Sequence, residues 1–395
     1  MDVGGHFTAS RCEKWIFKGG TCLKKAYFET YRFSEDLDFT IPKEEPFDDQ
    51  MVTGALNDIA DWVDQQSGVA IPKERTKTEK YKNPRGSDSI ESSVYYAGPL
   101  ATKASLPRIK FDLAQDEIVV DKPILRSVFH NYQDQTSEGF RVLCYSLEEL
   151  FAEKIRAFTD RLLPRDLYDI VNIYRHVVTA FDSAKVRLFL EKKCQFKNIP
   201  YPTMSLFSAH ARHGELPKRW EEMLGHQLPQ LPPLADFLKV LPEILGWLGG
   251  VQKPSVLRKI EVRESGVAID DTWHPSSSMS RWNQPVPVEI IRFAGANHLC
   301  IEMTYWRKQD NSVRSYILEP YSLRRSKRGE ILLYGRKVPS GEDRCFHINR
   351  ILEIKPTDRT FVPAYQVEFT MMEPAFARSL ALRPQLGYGR RKRRF

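Results

Sequence analysis

The stretch from Phe17 to Ile41, FKGGTCLKKAYFETYRFSEDLDFTI, restricts the fold more than any other part of the 395-residue chain. Its last residues alternate between apolar and polar, so Asp36 and Asp38 would lie side by side on one face of a strand. Two neighbouring carboxylates repel each other, and a hard divalent cation such as Mg²⁺ relieves that repulsion. Gly19 and Gly20 lie upstream and allow close backbone approach to an anion such as a triphosphate. A metal site beside a phosphate-binding turn indicates phosphoryl or nucleotidyl transfer.

Two more residues are candidates for this site. The segment 108–113, RIKFDL, predicts a strand with Lys110 and Asp112 on one face, and Asp112 joins the aspartate pair if the strands are neighbours. Taken alone, Asp112 is more simply an exposed strand residue. Lys154 lies in the apolar stripe of a helix predicted over 146–161, where a lysine is unusual. It either extends to solvent or points at an anion in a cleft, and the nearby aspartates and glycines favour the anion.

Capping patterns place two helices. Ser146 and Glu149 form a capping-box pattern at the start of the 146–161 helix. In the following PRDLYDI segment, Asp166 is predicted as the N-cap of a helix through Val177, with Asp169 at its third position. That capping role would explain both aspartates without any function.

Composition favours a cytoplasmic protein of two or three domains. The six cysteines are scattered without a zinc or disulfide pattern. No secretion signal is visible, and no apolar run approaches the ~20 residues that span a bilayer. The net charge of +8 favours an anionic partner, nucleic acid first, although a charge of this size is weak support.

Several later segments have a recognisable character. Residues 72–87 are polar and basic and predict a solvated loop, with an RNA-contacting arm as the alternative. Residues 181–250 are predicted as mostly helical, and from residue 288 short strands at regular spacing predict a small β-barrel. The last residues, GYGRRKRRF, form a basic tail that either binds nucleic acid or only aids solubility.

The ordered set of motifs in 17–41 and in SLEELFAEKIRAFTDRLLPRDLYDI, 146–170, resembles the AbiEii/AbiGii family of nucleotidyltransferase toxins. The resemblance covers roughly residues 11–250. It implies a mixed sheet flanked by helices, with a two-metal Mg²⁺ site and an NTP substrate. It also implies a toxin half of a toxin–antitoxin or abortive-infection system against phage, whose cognate antitoxin is encoded nearby. Some relatives transfer nucleotides to the 3′ end of tRNA, and relatives usually have one or two further helices before the first strand.

The resemblance also implies roles for individual residues. Metal ligands would be Asp36, Asp38 and Asp112, and these with Lys154 would be the catalytic set. The nucleotide-binding residues would be Gly19, Gly20, Thr21, Ser34, Lys154 and Asp169.

The segments EPYSLRR, ILLYG and FHINRI, within 288–370, are similar to the WYL domain, a small SH3- or Sm-like barrel. Ile331, Leu332 and Leu333 replace its Trp-Tyr-Leu triplet and keep an apolar strand. WYL domains are thought to sense ligands or nucleic acid, and the residues expected to make such contacts are Arg324, Arg344 and Arg350.

We therefore expect an α+β chain: a nucleotidyltransferase-fold mixed sheet with flanking helices, a helical extension, then a WYL-like β-barrel. The expected divisions are a nucleotidyltransferase core at 1–180, a helical extension at 181–250, a linker at 251–287, the WYL-like barrel at 288–372 and the basic tail at 373–395. The expected function is Mg²⁺-dependent transfer of NMP from NTP to an RNA acceptor, tRNA first. The alternatives are a WYL-type sensor that regulates an effector, and a transferase that acts on a non-RNA acceptor.

Overall fold

The structure is a computed structural model, and it describes residues 11–28, 31–83, 85–98, 106–129, 139–251, 256–262, 267–271, 273 and 288–369. The predicted basic tail lies outside these residues, as does most of the predicted linker. Within the described residues, no helix is both long enough and apolar enough to span a bilayer.

The first sheet is mixed, as predicted. Its strands are β1 (Ile16–Lys18), β2 (Leu37–Thr40), β3 (Lys77–Lys82), β4 (Asp88–Tyr95), β5 (Arg108–Ala114), β6 (Ile124–Ser127) and β7 (Arg141–Cys144). Their spatial order is β3-β4-β5-β2-β1-β7-β6. β2 runs parallel to β5 and β1 parallel to β7, whereas the other neighbours are antiparallel. This order places β2, which carries the aspartate pair, in the centre of the sheet.

Ten α-helices lie within the described residues. They are α1 (Gly19–Cys22), α2 (Asp49–Ser67), α3 (Leu147–Arg161), α4 (Pro164–Val177), α5 (Ser183–Lys197), α6 (Met204–Ala209), α7 (Leu216–Leu224), α8 (Leu234–Leu238), α9 (Leu241–Leu248) and α10 (Val288–Ala296). α1 continues as a π-helical turn over Leu23–Tyr27, so helical chain follows directly on the glycine pair. The helices α5–α9 confirm the helical character of residues 181–250.

The helix α2 covers one face of the sheet. Its N-cap Asp48 accepts a hydrogen bond from the Met51 amide, and it ends at Gly68, whose φ is +68°. Val52 and Leu56 of α2 belong to the same buried apolar cluster as Phe111 of β5. Because side chains alternate along β5, the residues next to Phe111 point away from α2.

The start of α3 differs partly from the predicted capping box. Ser146 is the N-cap, and its side chain accepts the Glu149 amide. The Glu149 carboxylate does not return to the cap. It accepts hydrogen bonds from the amides of Val120 and Asp121, each at 2.8 Å, and pairs with Lys193 at 2.9 Å. Its role is therefore to join α3 to the 120–121 loop and α5.

The N-cap of α4 was assigned wrongly from the sequence. The cap residue is Leu163, the helix begins at Pro164, and Asp166 lies within the first turn. Proline is favoured at the first helical position because its missing N–H is not needed there. Both Asp166 and Asp169 are fully buried and paired with basic side chains, so capping does not explain them.

The basic segment 72–87 is more ordered than the predicted loop. Residues Lys73–Arg75 form a 3₁₀ turn, and β3 follows as an edge strand that pairs antiparallel with β4. Lysines are common on edge strands because their charge opposes pairing with another chain.

The C-terminal region forms a second, antiparallel sheet. Its strands are β8 (Leu299–Arg307), β9 (Ser312–Arg325), β10 (Ile331–Val338), β11 (Asp343–His347) and β12 (Ile351–Thr360), in the order β11-β10-β9-β8-β12. β8 and β9 are joined by a turn that contains Asp310 and Asn311, and Asn311 has a φ of +49°. Among the described residues no pairing joins β11 to β12, so the predicted barrel is an open five-stranded sheet.

The segments that flank this sheet pack on it. Residues 361–369 run along the sheet as irregular chain, and the Glu368 amide donates a hydrogen bond to the Tyr321 carbonyl. Within the predicted linker, Ile260 is fully buried and Asp270 pairs with Arg325 at 2.6 Å. The described parts of 251–287 therefore contact the second sheet.

One continuous apolar cluster joins the two sheets. It extends from Phe17 through α4 and Trp247 of α9 to Leu299 of β8 and Phe369. Charges act across the same boundary, since burial and the charge of Arg175 on α4 lower the pKa of His298, one residue before β8. The second sheet thus packs directly against the helix that carries Asp166 and Asp169.

Candidate active site

Asp38 and Asp112 lie opposite each other on neighbouring strands. The parallel register of β2 and β5 pairs Asp38 with Asp112, and paired residues project to the same face of a sheet. Asp36 comes one residue before β2 and, by the strand period, lies on the side of Asp38. The neighbouring strands required for the predicted carboxylate group are therefore present.

The electrostatics of these carboxylates follow from crowding and burial. Burial raises the pKa of Asp38 to about 6, and the negative charges of Asp112 and Asp36 add to the shift, against the cations Lys18 and Lys154. Burial also raises the pKa of Asp112, and Lys110 opposes that shift. Asp38 and Asp112 are therefore harder to ionise than an exposed aspartate, because burial and neighbouring negative charge both oppose the charged form.

A divalent cation fits this donor set. Hard carboxylate oxygens are the ligands that Mg²⁺ prefers, and its charge would offset the repulsion that raises the pKa of Asp38. Within the described ranges, no three carboxylate, imidazole or thiolate side chains converge on one point. The chemistry of the residues therefore fits a metal, while a converged ligand set is not observed.

The glycine pair leaves space for other side chains of the site. Gly19 has a φ of +79°, and a Cβ atom there would lie 2.0 Å from Oδ2 of Asp38. A Cβ atom on Gly20 would lie 2.5 Å from the Arg32 guanidinium and 2.9 Å from Oγ of Ser34. Gly19, Gly20 and Ser34, predicted to line the triphosphate, are thus brought together.

Thr21 connects this turn to β2. Its Oγ1 donates a hydrogen bond of 2.6 Å to the carbonyl oxygen of Asp36. The contact holds the chain just before β2 against α1. The nucleotide-binding role of Thr21 stays a prediction.

Lys154 is buried and points at acidic groups. Its Nζ lies 2.8 Å from Oδ2 of Asp169 and 3.4 Å from Oδ1 of Asp166, both on α4. Its charge also opposes the upward pKa shift of Asp38, so it reaches the carboxylate group. The alternative in which Lys154 extends to solvent is wrong, and its contact with nucleotide phosphates stays a prediction.

Asp169 is the centre of a buried clamp that includes Arg32. Nε and Nη2 of Arg32 donate to the two carboxylate oxygens of Asp169 at 2.7 and 2.8 Å, and the Tyr31 hydroxyl donates at 3.0 Å. Burial alone would raise the pKa of Asp169, but Arg32 and Lys154 outweigh it and lower the pKa. Asp169 therefore positions two cations, and it ties the segment before β2 to α4.

Arg161 makes the same bidentate arrangement with Asp166, at 2.7 and 2.9 Å. Burial alone would raise the pKa of Asp166, but Arg161 and Lys154 lower it overall. The two aspartates of α4 are thus ionised structural partners of Arg161, Lys154 and Arg32.

Sequence reasoning missed two cations of the site, Lys18 and Arg32. Lys18 is the register partner of Asp38 on β1, and its Nζ lies 3.5 Å from Glu153 and 3.8 Å from Glu117. Burial alone would lower the pKa of Lys18, but Glu153, Glu117 and Asp38 raise it overall. The available signals were a lysine at the end of an apolar strand and an arginine inside the quoted aspartate motif.

The arginines predicted as ligand contacts in the second sheet do not form one group. Arg324 on β9 stacks on the Tyr334 ring and pairs with Glu368 at 2.8 Å. Arg344 on β11 is opposite Gly335, one residue after Tyr334, and so projects to the other face. Arg350 lies in the 3₁₀ turn before β12. Their contacts with a ligand or nucleic acid stay predictions.

Two family models match the chain. The nucleotidyl transferase AbiEii toxin family, described as a type IV toxin–antitoxin system, matches residues 7–243, which is more than half of the chain. The WYL domain matches residues 288–356. A search of curated proteins finds no match.

Proposed function

The chain belongs to the AbiEii family of nucleotidyl transferase toxins and has a C-terminal WYL domain, and on that premise we propose that it is an Mg²⁺-dependent RNA nucleotidyltransferase. The family implies an NTP substrate and a cognate antitoxin. The acceptor is the 3′-hydroxyl of an RNA, tRNA in the first instance, and the reaction blocks translation during phage infection. An RNA acceptor of this kind requires the protein to act in the cytoplasm.

The observation that carries this proposal is the register of Asp38 with Asp112 beside the Gly19 turn. It brings two carboxylates from distant parts of the chain to one point on an open sheet face. Asp36, Asp38 and Asp112 would hold Mg²⁺, which neutralises phosphate charge when bound. A sheet that needed these residues only for stability would gain nothing from crowding them.

The other residues position the nucleotide. Gly19, Gly20, Thr21 and Ser34 line the triphosphate. Lys154 contacts its phosphates while Asp169 holds the lysine in place, so Asp169 acts as a positioning residue. The oxygen of the acceptor hydroxyl forms a bond to the α-phosphorus, the bond from that phosphorus to the bridging oxygen breaks, and pyrophosphate leaves. The hydroxyl proton passes to water.

The test is label transfer in vitro. Purified protein is incubated with Mg²⁺, each of the four labelled NTPs in turn, and total bacterial RNA. We expect label on a tRNA-sized band with the wild type and none with the Asp36→Ala/Asp38→Ala variant. Asp58→Ala removes an exposed carboxylate of α2 and serves as the matched control, which should transfer normally. Folded wild-type protein that labels no RNA with any NTP would overturn the proposal.

The second candidate function is regulation by the WYL domain. It is favoured by the apolar cluster that the second sheet shares with α4, since a ligand bound to that sheet could act on the helix. In this alternative the WYL domain senses a ligand or nucleic acid, and the transferase is its effector. Transfer that changes on adding a nucleotide or RNA other than the substrates would support it.

A further inference from the structure

Among the described residues, no helix covers one face of β3, β4 and β5. α2 packs on the other face, against Phe111. On the opposite face, Tyr81, Glu91 and Lys110 are partly or largely exposed, whereas the small side chains of Ser89 and Ser93 on β4 are buried. The described helices therefore leave one side of these three strands open to a partner.

This open face is continuous with the candidate active site. The register pairs Asp38 with Asp112, Asp112 with Glu91, and Glu91 with Glu79. Paired residues of neighbouring strands project to the same face, so the row runs from the central carboxylates to the edge strand β3. An acceptor whose 3′ end meets Asp38 and Asp112 can lie along these strands.

Tyr81 offers an aromatic surface on this face. It is two residues after Glu79 on β3, and its side chain is 44% exposed. Burial of its hydroxyl end raises its pKa, and the negative charges of Asp112 and Glu91 raise it further. The hydroxyl is therefore close enough to Asp112 and Glu91 for their charges to act on it, and the residue as a whole stays largely exposed.

Lysines flank the carboxylate row on the same face. Lys77 of β3 pairs in register with Ser93, and Ser93 with Lys110 of β5. Lys110 is engaged by Glu91 at 3.0 Å and Asp112 at 3.6 Å. Lys77 lies nearer the open edge and is exposed. A cation and an exposed ring on one strand face form the usual combination for single-stranded nucleic acid.

We infer that the open face of β3–β5 is the acceptor subsite, where the terminal bases of a single-stranded RNA end stack on Tyr81 and a phosphate contacts Lys77. The inference rests on the proposed function, because it takes the acceptor to be RNA. It assigns acceptor recognition to the sheet beside the reacting carboxylates. Stacking of one base on an aromatic ring contributes about a tenfold change in binding.

The kinetic test separates acceptor binding from nucleotide binding. KM is measured for the RNA acceptor and for the NTP with wild type, Tyr81→Ala and Tyr81→Phe. We expect Tyr81→Ala to raise the KM for RNA about tenfold and leave the KM for NTP unchanged. Tyr81→Phe keeps the ring and should behave as wild type. Tyr201→Ala removes another exposed tyrosine, 37% exposed and distant in sequence, and should change neither constant.

A second pair of variants tests whether the open face of β3–β5 binds RNA. Lys77→Ala should weaken binding of a labelled single-stranded RNA, measured by fluorescence anisotropy without NTP, and should reduce the dependence of binding on salt. Lys82 lies on the same strand but projects to the opposite face, where it pairs with Asp88. Lys82→Ala is therefore the matched control and should bind normally.

The outcomes distinguish this inference from the proposed function. If the wild type labels RNA but Tyr81→Ala and Lys77→Ala match it in acceptor KM and RNA affinity, the acceptor subsite is wrong and the transferase stands. If the wild type labels no RNA, the proposed function and the acceptor subsite are both wrong. A Tyr81→Ala protein with reduced helical and sheet signals by circular dichroism is replaced by Tyr81→Ser, judged by the same constants.

Discussion

Position 19 has no room for a side chain. Gly19→Ala should lower nucleotidyl transfer by about a hundredfold, because a methyl group 2.0 Å from Oδ2 of Asp38 must displace that carboxylate. The rate of label transfer to RNA measures the effect. Circular dichroism checks that the protein remains folded.

A second glycine provides the control for this variant. Gly68 ends α2 with a φ of +68°, and no atom lies within 4 Å of a Cβ built there. Gly68→Ala carries the same backbone strain, about 1–2 kcal/mol, without touching the site. If Gly19→Ala transfers as well as Gly68→Ala, the close approach to Asp38 is not needed for the reaction.

Single residues show how far local patterns reach. The strand period was enough to nominate Asp36 and Asp38, and the odd position of Lys154 was enough to nominate that lysine. The period could not identify Lys18 or Arg32, because their roles depend on partners in β2 and α4. The role of a charged residue depends on the side chains that it contacts, and long-range packing decides which side chains those are.

At the scale of elements, α4 carries the buried Asp166 and Asp169 together with a half-buried histidine. Burial lowers the pKa of His176 to about 4, and the charge of Arg175 lowers it further in the same direction. Its Nε2 is buried without a hydrogen-bond partner among the described residues. The helix therefore carries a histidine that is neutral at physiological pH.

Because of His176, we expect the folded chain to lose stability in acid. Above pH 6.5 the His176 imidazole is neutral in both the folded and the unfolded chain. As the pH falls from 6.5 to about 4, the unfolded chain binds a proton and the folded chain does not, so stability is lost, by up to about 3 kcal/mol. Urea unfolding at pH 7.5, 6 and 5 measures the loss. His176→Gln should reduce the dependence of the unfolding free energy on pH. His213 is exposed, so His213→Gln should leave that dependence unchanged. Equal slopes in all three proteins would contradict the assignment.

The presence of helices and strands was predicted better than the residues at which they begin and end. Periodicity and capping located α3, α4 and β5, since these signals lie within a few residues of each other. The N-cap of α4 and the strand β3 were missed, because proline at the first helical position and pairing with β4 outweighed the local polar pattern.

At the scale of the whole molecule, the two domains share one apolar cluster. Phe369 is almost fully buried and contacts Gly295, within a cluster that also contains residues of α4 and α9. A shared core couples the unfolding of its two sides. The WYL domain therefore contributes to the core of the AbiEii domain.

We expect Phe369→Ala to destabilise the full chain by about 3–5 kcal/mol, and to do so in both domains together. Hydrogen exchange in rising urea, resolved by peptide, should show β1–β2 and β8–β9 losing protection at one shared midpoint that shifts down in the variant. Val362→Ala is the control, because Val362 is 91% exposed in the same segment. A shift confined to β8–β9 would mean that the domains unfold independently.

The sequence by itself determined the α+β class and the order of the two domains, and it nominated the aspartates and glycines of the candidate site. These follow from periods and turns that act over a few residues. Only the tertiary structure decided that Asp38 meets Asp112, that Arg32 clamps Asp169, and that the second sheet stays open and packs on α4. Such contacts join residues far apart in the chain. They depend on the pairing of strands and on the packing of apolar faces, and no local sequence pattern specifies either.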